Sequence, residues 1–177
     1  MTYTQHYDSP LGGILLAADE EGLTGLWFDG QKYFARTLPK EYAESETPVL
    51  CEAKRWLDIY FSGREPDFTP PLHPVRSAFQ QAVWALLLEI PYGETTTYGA
   101  LARKLAEKQG LTHMSAQAVG GAVGHNDISL IIPCHRVVGA NGSLTGYAGG
   151  VDKKIKLLEL ERADMKSFFV PKKGTAL

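Results

Sequence analysis

Residues 95–124 read TTTYGALARKLAEKQGLTHMSAQAVGGAVG, and this stretch decides how the second half of the chain can fold. Its three consecutive threonines offer N-caps for a helix that starts at Tyr98, because a threonine side chain can accept from the free backbone N–H groups of a first helical turn. A loop around Gly110 follows, and Ser115 can cap a second helix that extends to about Gly124. Two short helices joined by a loop indicate a helix-turn-helix.

The second of these helices is poor in large side chains. Its small residues are Ala116, Ala118, Gly120, Gly121, Ala122 and Gly124. Each glycine inside a helix costs up to about 1 kcal/mol relative to alanine, so several glycines need a reason. Tight packing against another helix is one explanation. Close approach to DNA is the other, since a helix about 10–12 Å wide suits a minor groove about 6 Å wide only where its side chains are small. A phosphate-binding loop is disfavoured, because the GxGxxG spacing is lacking.

The first part of the chain predicts a small α/β domain. Residues 13–18 and 23–28 are apolar stretches on either side of a polar turn, a pattern typical of two paired strands. Residues 48–61 predict a helix, and its apolar stripe consists of Val49, Ala53, Trp56, Leu57 and Tyr60. Cys51 lies one residue off the centre of that stripe and is expected to be a half-buried structural thiol.

Breaker residues at positions 62–71 predict a linker, and we place a domain boundary near residue 72. Beyond it a further helical face is formed by Phe79, Val83, Leu86, Leu87 and Ile90. The fold class is therefore expected to be α+β. An N-terminal α/β domain with a small antiparallel sheet (1–72) precedes a mostly helical domain with the helix-turn-helix (73–165) and a tail (166–177).

The bulk composition disfavours several classes of protein. The longest apolar run is far shorter than the roughly 20 residues of a membrane span, and the N-terminus does not resemble a secretory signal, so we expect a cytoplasmic protein without membrane attachment. The two cysteines form no CxxC pair and no cluster with histidine, so neither a metal site nor a cofactor is predicted.

The charge is unevenly distributed. The net charge of −2 argues against a strongly basic nucleic-acid binder. Residues 1–75, however, carry six Lys and Arg against twelve Asp and Glu, whereas residues 76–177 carry twelve against eight. This asymmetry is consistent with a helper domain joined to a domain that binds a polyanion. A chance distribution of charges together with a basic tail would explain it equally well.

Residues 128–138 read ISLIIPCHRVV and carry the candidate chemistry. An apolar, strand-like run ends at Pro133, and Cys134 follows with His135 and Arg136 directly after it. A cysteine is nucleophilic as its thiolate, and a nearby His or Arg lowers the thiol pKa. Adjacent side chains of an extended chain point in opposite directions, so contact between Cys134 and His135 needs a turn or a bridging water. On these residues alone, a buried structural cysteine is the competing interpretation.

The five residues Pro133-Cys134-His135-Arg136-Val137 resemble the active-site signature of the O6-alkylguanine-DNA alkyltransferases. The resemblance covers about residues 76–162. Residues 79–98 are similar to the family's segment ahead of its helix-turn-helix, 118–126 to its recognition helix and asparagine hinge, 146–150 to its substrate lid, and 157–161 to the helix that supplies a glutamate. Residues 9–12 and the strands after them resemble the family more weakly, and imply a ribonuclease-H-like N-terminal domain.

The resemblance implies a role for each matching residue. Cys134 would accept the alkyl group, His135 would act as a base through a water, and Glu161 would orient the imidazole. Asn126 would hold the turn that presents Cys134, and Tyr98 would donate to the guanine O6. The residues implied to contact the substrate or the DNA are Thr97, Gln117, Ala118, Gly121, Ser129, Arg136, Val137, Tyr147 and Ala148. Among them, Ser129 and Ala148 are small and hint at a roomy pocket.

The implied function is direct-reversal repair of double-stranded DNA by a monomer. The protein would bind the minor groove, flip O6-methylguanine out of the duplex and transfer the alkyl group irreversibly to Cys134, once per molecule. O4-methylthymine is a further candidate substrate. The main alternative is a non-catalytic alkyltransferase-like protein, but such proteins lack the acceptor cysteine. A transcriptional alkylation sensor would need additional domains, and a cysteine hydrolase would need a distant histidine and an oxyanion hole.

Two positions depart from the family pattern. Gln117 stands where many relatives carry the arginine that replaces the extruded base, so base flipping or DNA affinity is expected to be weaker. Asp127 follows Asn126 where proline is usual, which would loosen the hinge. An acid near Cys134 would oppose thiolate formation, so we expect Asp127 to point to solvent.

Overall fold

The computed structural model describes residues 1–171 and divides the chain into two compact units. The first contains Met1–Val75 together with Asp127–Ile131, and the second contains Arg76–Asn126 and the chain from Ile132 onward. The sequence analysis predicted two contiguous domains, with residues 127–131 in the second. The structure assigns these five residues to the first unit. Residues 172–177 of the predicted tail lie outside the described residues. No helix within residues 1–171 has the length and apolar character needed to cross a membrane.

A four-stranded sheet with the strand order β3-β2-β1-β4 forms the centre of the first unit. Strands β1 (Tyr3–Ser9), β2 (Gly12–Ala18) and β3 (Leu23–Phe28) pair antiparallel in sequence order, and the short β4 (Ala43–Glu44) adds in parallel to β1. The two strands predicted from the sequence are confirmed as β2 and β3. The structure adds β1 and β4, which sequence analysis did not identify.

Helix α1 (Pro48–Phe61) packs on this sheet. Thr47 caps it, and its hydroxyl accepts from the backbone N–H of Leu50 at 3.3 Å. The buried face consists of Leu50, Ala53, Trp56, Leu57 and Tyr60. The expected stripe is therefore right except at its N-terminal end, where Leu50 is buried in place of Val49. The expectation for Cys51 is wrong, because its thiol is exposed.

The second unit contains α2 (Ala78–Leu87), α3 (Tyr98–Gln109), α4 (Ala116–Gly124) and α5 (Val151–Leu160). The capping side chains predicted from the sequence are confirmed for two of these helices: Thr97 accepts from the third backbone N–H of α3, and Ser115 does the same for α4. Helices α3 and α4 form the predicted helix-turn-helix, and α2 packs against both. The short strands β5 (Thr96–Thr97) and β6 (Val137–Val138) pair in parallel and join the start of α3 to the segment after Cys134. The predicted α+β fold class is confirmed.

The apolar run ahead of Cys134 is not the strand that its composition predicted. Ile128 forms an isolated bridge with Leu26 of β3, and the chain then turns through Leu130, whose φ of 71° is left-handed. Cys134–Arg136 form a single 3-10 turn. Contact between Cys134 and His135 requires a turn, and this 3-10 turn provides one. It begins directly after Pro133, and the residues directly before it form no strand.

Asp127 is buried in the first unit, with 1 % of its surface exposed, so the expectation that it points to solvent is wrong. Arg36 donates to both of its carboxylate oxygens, at 2.6 Å from Nη2 and 3.3 Å from Nε. The backbone is also fixed, since Leu26 N–H donates to the Asp127 carbonyl at 2.8 Å and Ser129 N–H donates back to the Leu26 carbonyl at 3.1 Å. This acid replaces the family's proline without being left unpaired.

The described part of the predicted tail packs on the second unit. Phe169 N–H donates to the Gly142 carbonyl at 3.0 Å, and Leu144 N–H donates to the Phe169 carbonyl at 2.8 Å. Phe168 packs against a buried cluster that contains Val138 and Leu158. Up to residue 171 the tail therefore belongs to the fold.

Removing Arg36 alone is expected to destabilise the protein more than removing both charges of its ion pair with Asp127. Arg36→Met leaves the Asp127 carboxylate buried without its cation, and we expect a loss of about 2 kcal/mol in the free energy of unfolding, less than the 3–5 kcal/mol typical of buried pairs because Arg36 is partly exposed. Adding Asp127→Asn to this variant should recover at least half of the loss. Urea unfolding measures both effects, and Lys40→Met is the matched change at an exposed cation. Equal stability of Arg36→Met and the parent would contradict a stabilising role for the pair.

Candidate functional site

Cys134 opens the 3-10 turn and is buried, with 6 % of its surface exposed. Asn126 closes the loop that leads to it, because its side-chain amide donates to the Ile132 carbonyl at 2.7 Å. Burial raises the pKa of the Cys134 thiol, and hydrogen bonding by the Asn126 side chain opposes this rise. The Asn126 amide thus contacts the backbone of the loop that leads to Cys134.

The next two residues of the turn converge on Glu161, which follows α5. His135 Nε2 lies 2.6 Å from Glu161 Oε2, and Arg136 contacts both carboxylate oxygens, at 2.8 Å from Nε and 3.2 Å from Nη2. The backbone N–H of Gly93 donates to Oε1 at 3.1 Å. Four donors therefore hold one carboxylate, and the 3-10 turn is tied to the end of α5.

These contacts set the protonation states. Burial alone would raise the pKa of Glu161, but the hydrogen bonds and charges of His135 and Arg136 outweigh it and hold the pKa well below its usual range. Burial lowers the pKa of His135, against the opposing effect of Glu161. The pair is therefore a carboxylate with a neutral imidazole, in which Nε2 donates and Nδ1 carries the basic lone pair.

Arg136 occupies a different place from the one expected for it. Its side chain is buried against Glu161, and Nη1 donates to the Ile90 carbonyl at 2.7 Å. The guanidinium also lies 5.7 Å from the centre of the Tyr92 ring. The expectation that Arg136 contacts DNA or substrate is not supported, since its donors are directed into the unit.

Sequence analysis missed Lys154. This residue of α5 is 1 % exposed, and its Nζ donates to the carbonyls of Val137, at 2.5 Å, and Thr145, at 2.6 Å. Burial lowers the pKa of Lys154 to about 8, and the charge of Cys134 partly opposes that shift. The available signal was its spacing, because Lys154 lies three and four residues before the buried Leu157 and Leu158 on one helical face.

Tyr98, the first residue of α3, lies beside the loop that resembles the substrate lid. Its hydroxyl donates to the Thr145 carbonyl at 3.3 Å. A Cβ at Gly146, where φ is +76°, would come within 2.7 Å of that hydroxyl, so only glycine fits. Burial and the charge of Cys134 raise the pKa of Tyr98 to about 12, which keeps the hydroxyl protonated and able to donate. Tyr147 is buried with its ring edge-on to His135, and Ala148 is half-buried.

Helix α4 uses its small residues on two faces. Val119, Ala122 and Val123 are buried, and Trp84 Nε1 of α2 donates to the Ala122 carbonyl at 2.9 Å. Gln117, Ala118 and Gly121 are exposed. A Cβ at Gly121 or Gly124 would meet nothing within 4 Å, so packing inside the protein does not explain these two glycines.

The structure thus brings most of the predicted residues into one unit: Thr97, Tyr98, Gln117, Ala118, Gly121, Asn126, Cys134, His135, Arg136, Val137, Tyr147, Ala148 and Glu161. Ser129 is buried in the first unit. Within residues 1–171, no three His, Cys, Asp or Glu side chains are grouped so that they could hold a metal ion. The arrangement offers a buried thiol, a basic imidazole held by a carboxylate, and a phenol donor.

Comparison with known proteins gives the family. Residues 78–163 match the family model described as the DNA-binding domain of 6-O-methylguanine DNA methyltransferase, and residues 2–74 match its ribonuclease-like domain. The chain is 46 % identical over 160 residues to a methylated-DNA–protein-cysteine methyltransferase of Methanosarcina acetivorans, covering 90 % of this chain and 97 % of the relative. It is 42 % identical over 161 residues to the Haemophilus influenzae protein of that name, with 90 % and 86 % covered.

A solved structure extends this likeness to three dimensions. The chain matches Mycobacterium tuberculosis OGT in complex with DNA with a TM-score of 0.78 and 40 % identity, over 91 % of this chain and 94 % of that one. The sequence and fold comparisons agree over nearly the whole length of the chain. The chain therefore belongs to the methylated-DNA–protein-cysteine methyltransferase family.

Proposed function

We propose that this protein repairs O6-alkylguanine in DNA by moving the alkyl group onto Cys134, once per molecule. The observation that carries the proposal is the buried Cys134 thiol on a turn whose next residue, His135, lies 2.6 Å from Glu161. This is a nucleophile followed by a base and the group that orients the base. The family membership of the chain supports the same reaction, and the presence of Cys134 disfavours a non-catalytic binder.

The reaction needs no cofactor when written with these groups. His135 takes the proton of the Cys134 thiol through a water, and Glu161 stabilises the resulting imidazolium. The sulfur attacks the alkyl carbon, the bond from that carbon to guanine O6 breaks, and its electron pair stays with the guanine. Tyr98 donates to O6 as this negative charge develops, and the proton held by the His135 imidazolium passes through water to the base, which leaves as neutral guanine. The product is a thioether, which no group described here would cleave.

The flipped base would lie between the 3-10 turn and residues 145–150. Tyr147 and Ala148 wall this pocket, together with Thr97, and the Val137 carbonyl accepts from the guanine amino group. That carbonyl already accepts from Lys154, but an oxygen with two lone pairs has room for a second donor. O4-methylthymine remains a candidate for the same pocket.

Double-stranded DNA would meet α4 through its minor groove. Ala118 and Gly121 present an open face without bulk, which suits a narrow groove better than an ordinary recognition helix does. Gln117, exposed at the start of α4, would fill the gap left by the extruded base. The protein acts as a cytoplasmic monomer in this proposal.

Incubation with a duplex that contains O6-methylguanine should add one methyl mass to the peptide that carries Cys134, with one equivalent transferred per protein. Cys134→Ala should abolish transfer and retain DNA binding, while Cys51→Ala, the matched change at the exposed thiol, should leave both intact. Intact-protein and peptide mass spectrometry give the readout. Transfer by the Cys134→Ala variant would identify a different acceptor and refute the assignment.

Glu161→Gln should slow single-turnover transfer by about 10²-fold, because His135 loses the negative charge that stabilises its protonated form. Affinity for the duplex should change by less than about twofold, since Glu161 is buried. Glu159→Gln removes an exposed carboxylate from the same helix and is the matched control. An unchanged transfer rate in folded Glu161→Gln would remove Glu161 from the mechanism.

Gln117→Arg should raise duplex affinity or transfer rate about five- to tenfold, equivalent to roughly 1–1.4 kcal/mol. The added guanidinium can occupy the vacated stack and attract the DNA phosphates. Gln81→Arg adds the same charge at an exposed position of α2 and separates a local effect from net charge. If the two variants behave alike in fluorescence-anisotropy titrations and single-turnover assays, position 117 has no special part in base flipping.

A further inference from the structure

Residues 165–170, the C-terminal clasp, lie past the end of the matched DNA-binding domain and attach to one loop of the second unit. Phe169 forms an isolated parallel bridge with Ser143. Its backbone N–H donates to the Gly142 carbonyl at 3.0 Å, and its carbonyl accepts from the Leu144 N–H at 2.8 Å. The Phe169 ring itself is 49 % exposed. Main-chain atoms of the clasp therefore hold three consecutive residues of the loop.

Side-chain packing supports these hydrogen bonds. Met165 and Phe168 are partly buried against the cluster formed by Val138, Leu144 and Leu158. Gly142, whose φ is +87°, lies so close to the Ser167 carbonyl that an added Cβ would overlap with it. The clasp is thus seated by backbone hydrogen bonds, by apolar contact, and by a glycine that permits the close approach.

The loop over residues 139–150 is rich in glycine. Five of its twelve residues are glycine, and glycine loses more conformational freedom on ordering than any other residue. Inside the loop, the Gly139 N–H donates to the Ser143 carbonyl at 2.7 Å and the Gly150 N–H donates to the Tyr147 carbonyl at 3.0 Å. A segment with so few contacts of its own depends on contacts from outside for its order.

The residues that the clasp holds lead directly into the candidate site. Thr145 follows Leu144, and its carbonyl accepts from the Tyr98 hydroxyl at 3.3 Å. At the next position, a Cβ on Gly146 would come within 2.7 Å of the same hydroxyl. Because consecutive Cα atoms are only about 3.8 Å apart, a displacement of Leu144 moves the acceptor of the Tyr98 hydroxyl as well.

We propose that the C-terminal clasp positions the lid loop (146–150) and, through the Thr145 carbonyl, the Tyr98 hydroxyl that donates to guanine O6. The clasp residues are positioning residues, because they act through the loop and take no part in the chemical steps. The inference deepens the proposed function, and rests on it for the use made of Tyr98. The order of the lid loop can be measured without DNA.

The first test removes one hydrogen bond of the clasp. Phe169→Pro deletes the N–H that donates to the Gly142 carbonyl, whereas Phe169→Ala removes the exposed ring and keeps that donor. Amide hydrogen exchange, followed by NMR, is compared at Leu144 and at Gly150, whose N–H bonds to Tyr147 inside the lid loop. Phe169→Pro should speed exchange at both amides about tenfold, and Phe169→Ala should match the parent.

Three results would overturn the proposal. Faster exchange at Leu144 with unchanged exchange at Gly150 would show that the clasp opens without disturbing the lid loop. Unchanged exchange at both amides would show that the loop is held without the clasp. An equal increase at Leu105, a buried residue of α3, would assign the clasp to the stability of the whole unit.

A second variant displaces the clasp from the opposite side, and decides the matter if Phe169→Pro does not fold. The Cβ added by Gly142→Ala overlaps with the Ser167 carbonyl, and exchange at Gly150 should again be faster than in the parent. Asn141→Ala is the matched control, because it places alanine at a left-handed φ of 64° in the same turn, at an exposed position. Equal exchange at Gly150 in the two variants would trace the effect to backbone strain and refute the clasp.

Transfer kinetics test what the clasp does for repair. With saturating methylated duplex, Phe169→Pro should slow single-turnover transfer to Cys134 about fivefold relative to Phe169→Ala, because Tyr98 is correctly placed for less of the time. Duplex affinity should stay the same, since α4 is unchanged. Equal transfer rates in the two variants would overturn the link to Tyr98. A parent protein that transfers no methyl group would refute the proposed function, and the exchange measurements would still decide whether the clasp orders the lid loop.

Discussion

The contact on which the rest of the site depends is the one between Glu161 and its four donors. It ties a 3-10 turn of three residues to the end of a helix that lies 25 residues further along the chain. A turn this short has little stability of its own, because it forms few hydrogen bonds per residue fixed. The buried carboxylate therefore holds the backbone that presents Cys134, and the same hydrogen bonds set the protonation of His135. Structure and chemistry are coupled through a single side chain.

Helix α5 positions two of the buried charged groups of the site. Glu161 follows its last turn, and Lys154 lies two turns earlier on the same face, so one helix places an anion against His135 and a cation against the Val137 carbonyl. Across the turn, Tyr98 stands at the start of α3 and contacts the same carbonyl as Lys154, that of Thr145. Three ionisable groups are thus held by two helices and one loop, and little of the site depends on freely moving side chains.

The starts of α3 and α4 could be predicted from the sequence because the information is local: a threonine or serine caps the first turn of each helix. Strand β1 was missed because its sequence alternates weakly, and residues 128–133 were misjudged because an apolar run cannot distinguish a strand from a buried turn. The resemblance named Cys134, His135 and Glu161. It did not give the burial of Asp127 or Arg136, whose partners lie 91 and 25 residues away along the chain. An ion pair between residues that are far apart in the chain leaves no periodic pattern in the sequence, so it could not be predicted.

Asp127 illustrates how one constraint can replace another. A proline at this position would restrict the backbone through its ring and remove a donor. Here the same backbone is held by hydrogen bonds to Leu26 on both sides, and the side chain is anchored by Arg36. The covalent restriction acts on the unfolded chain as well, whereas the ion pair acts only after folding has buried it. The segment ahead of Cys134 is therefore set by tertiary structure in this protein, and its order depends on the integrity of the unit that contains Arg36.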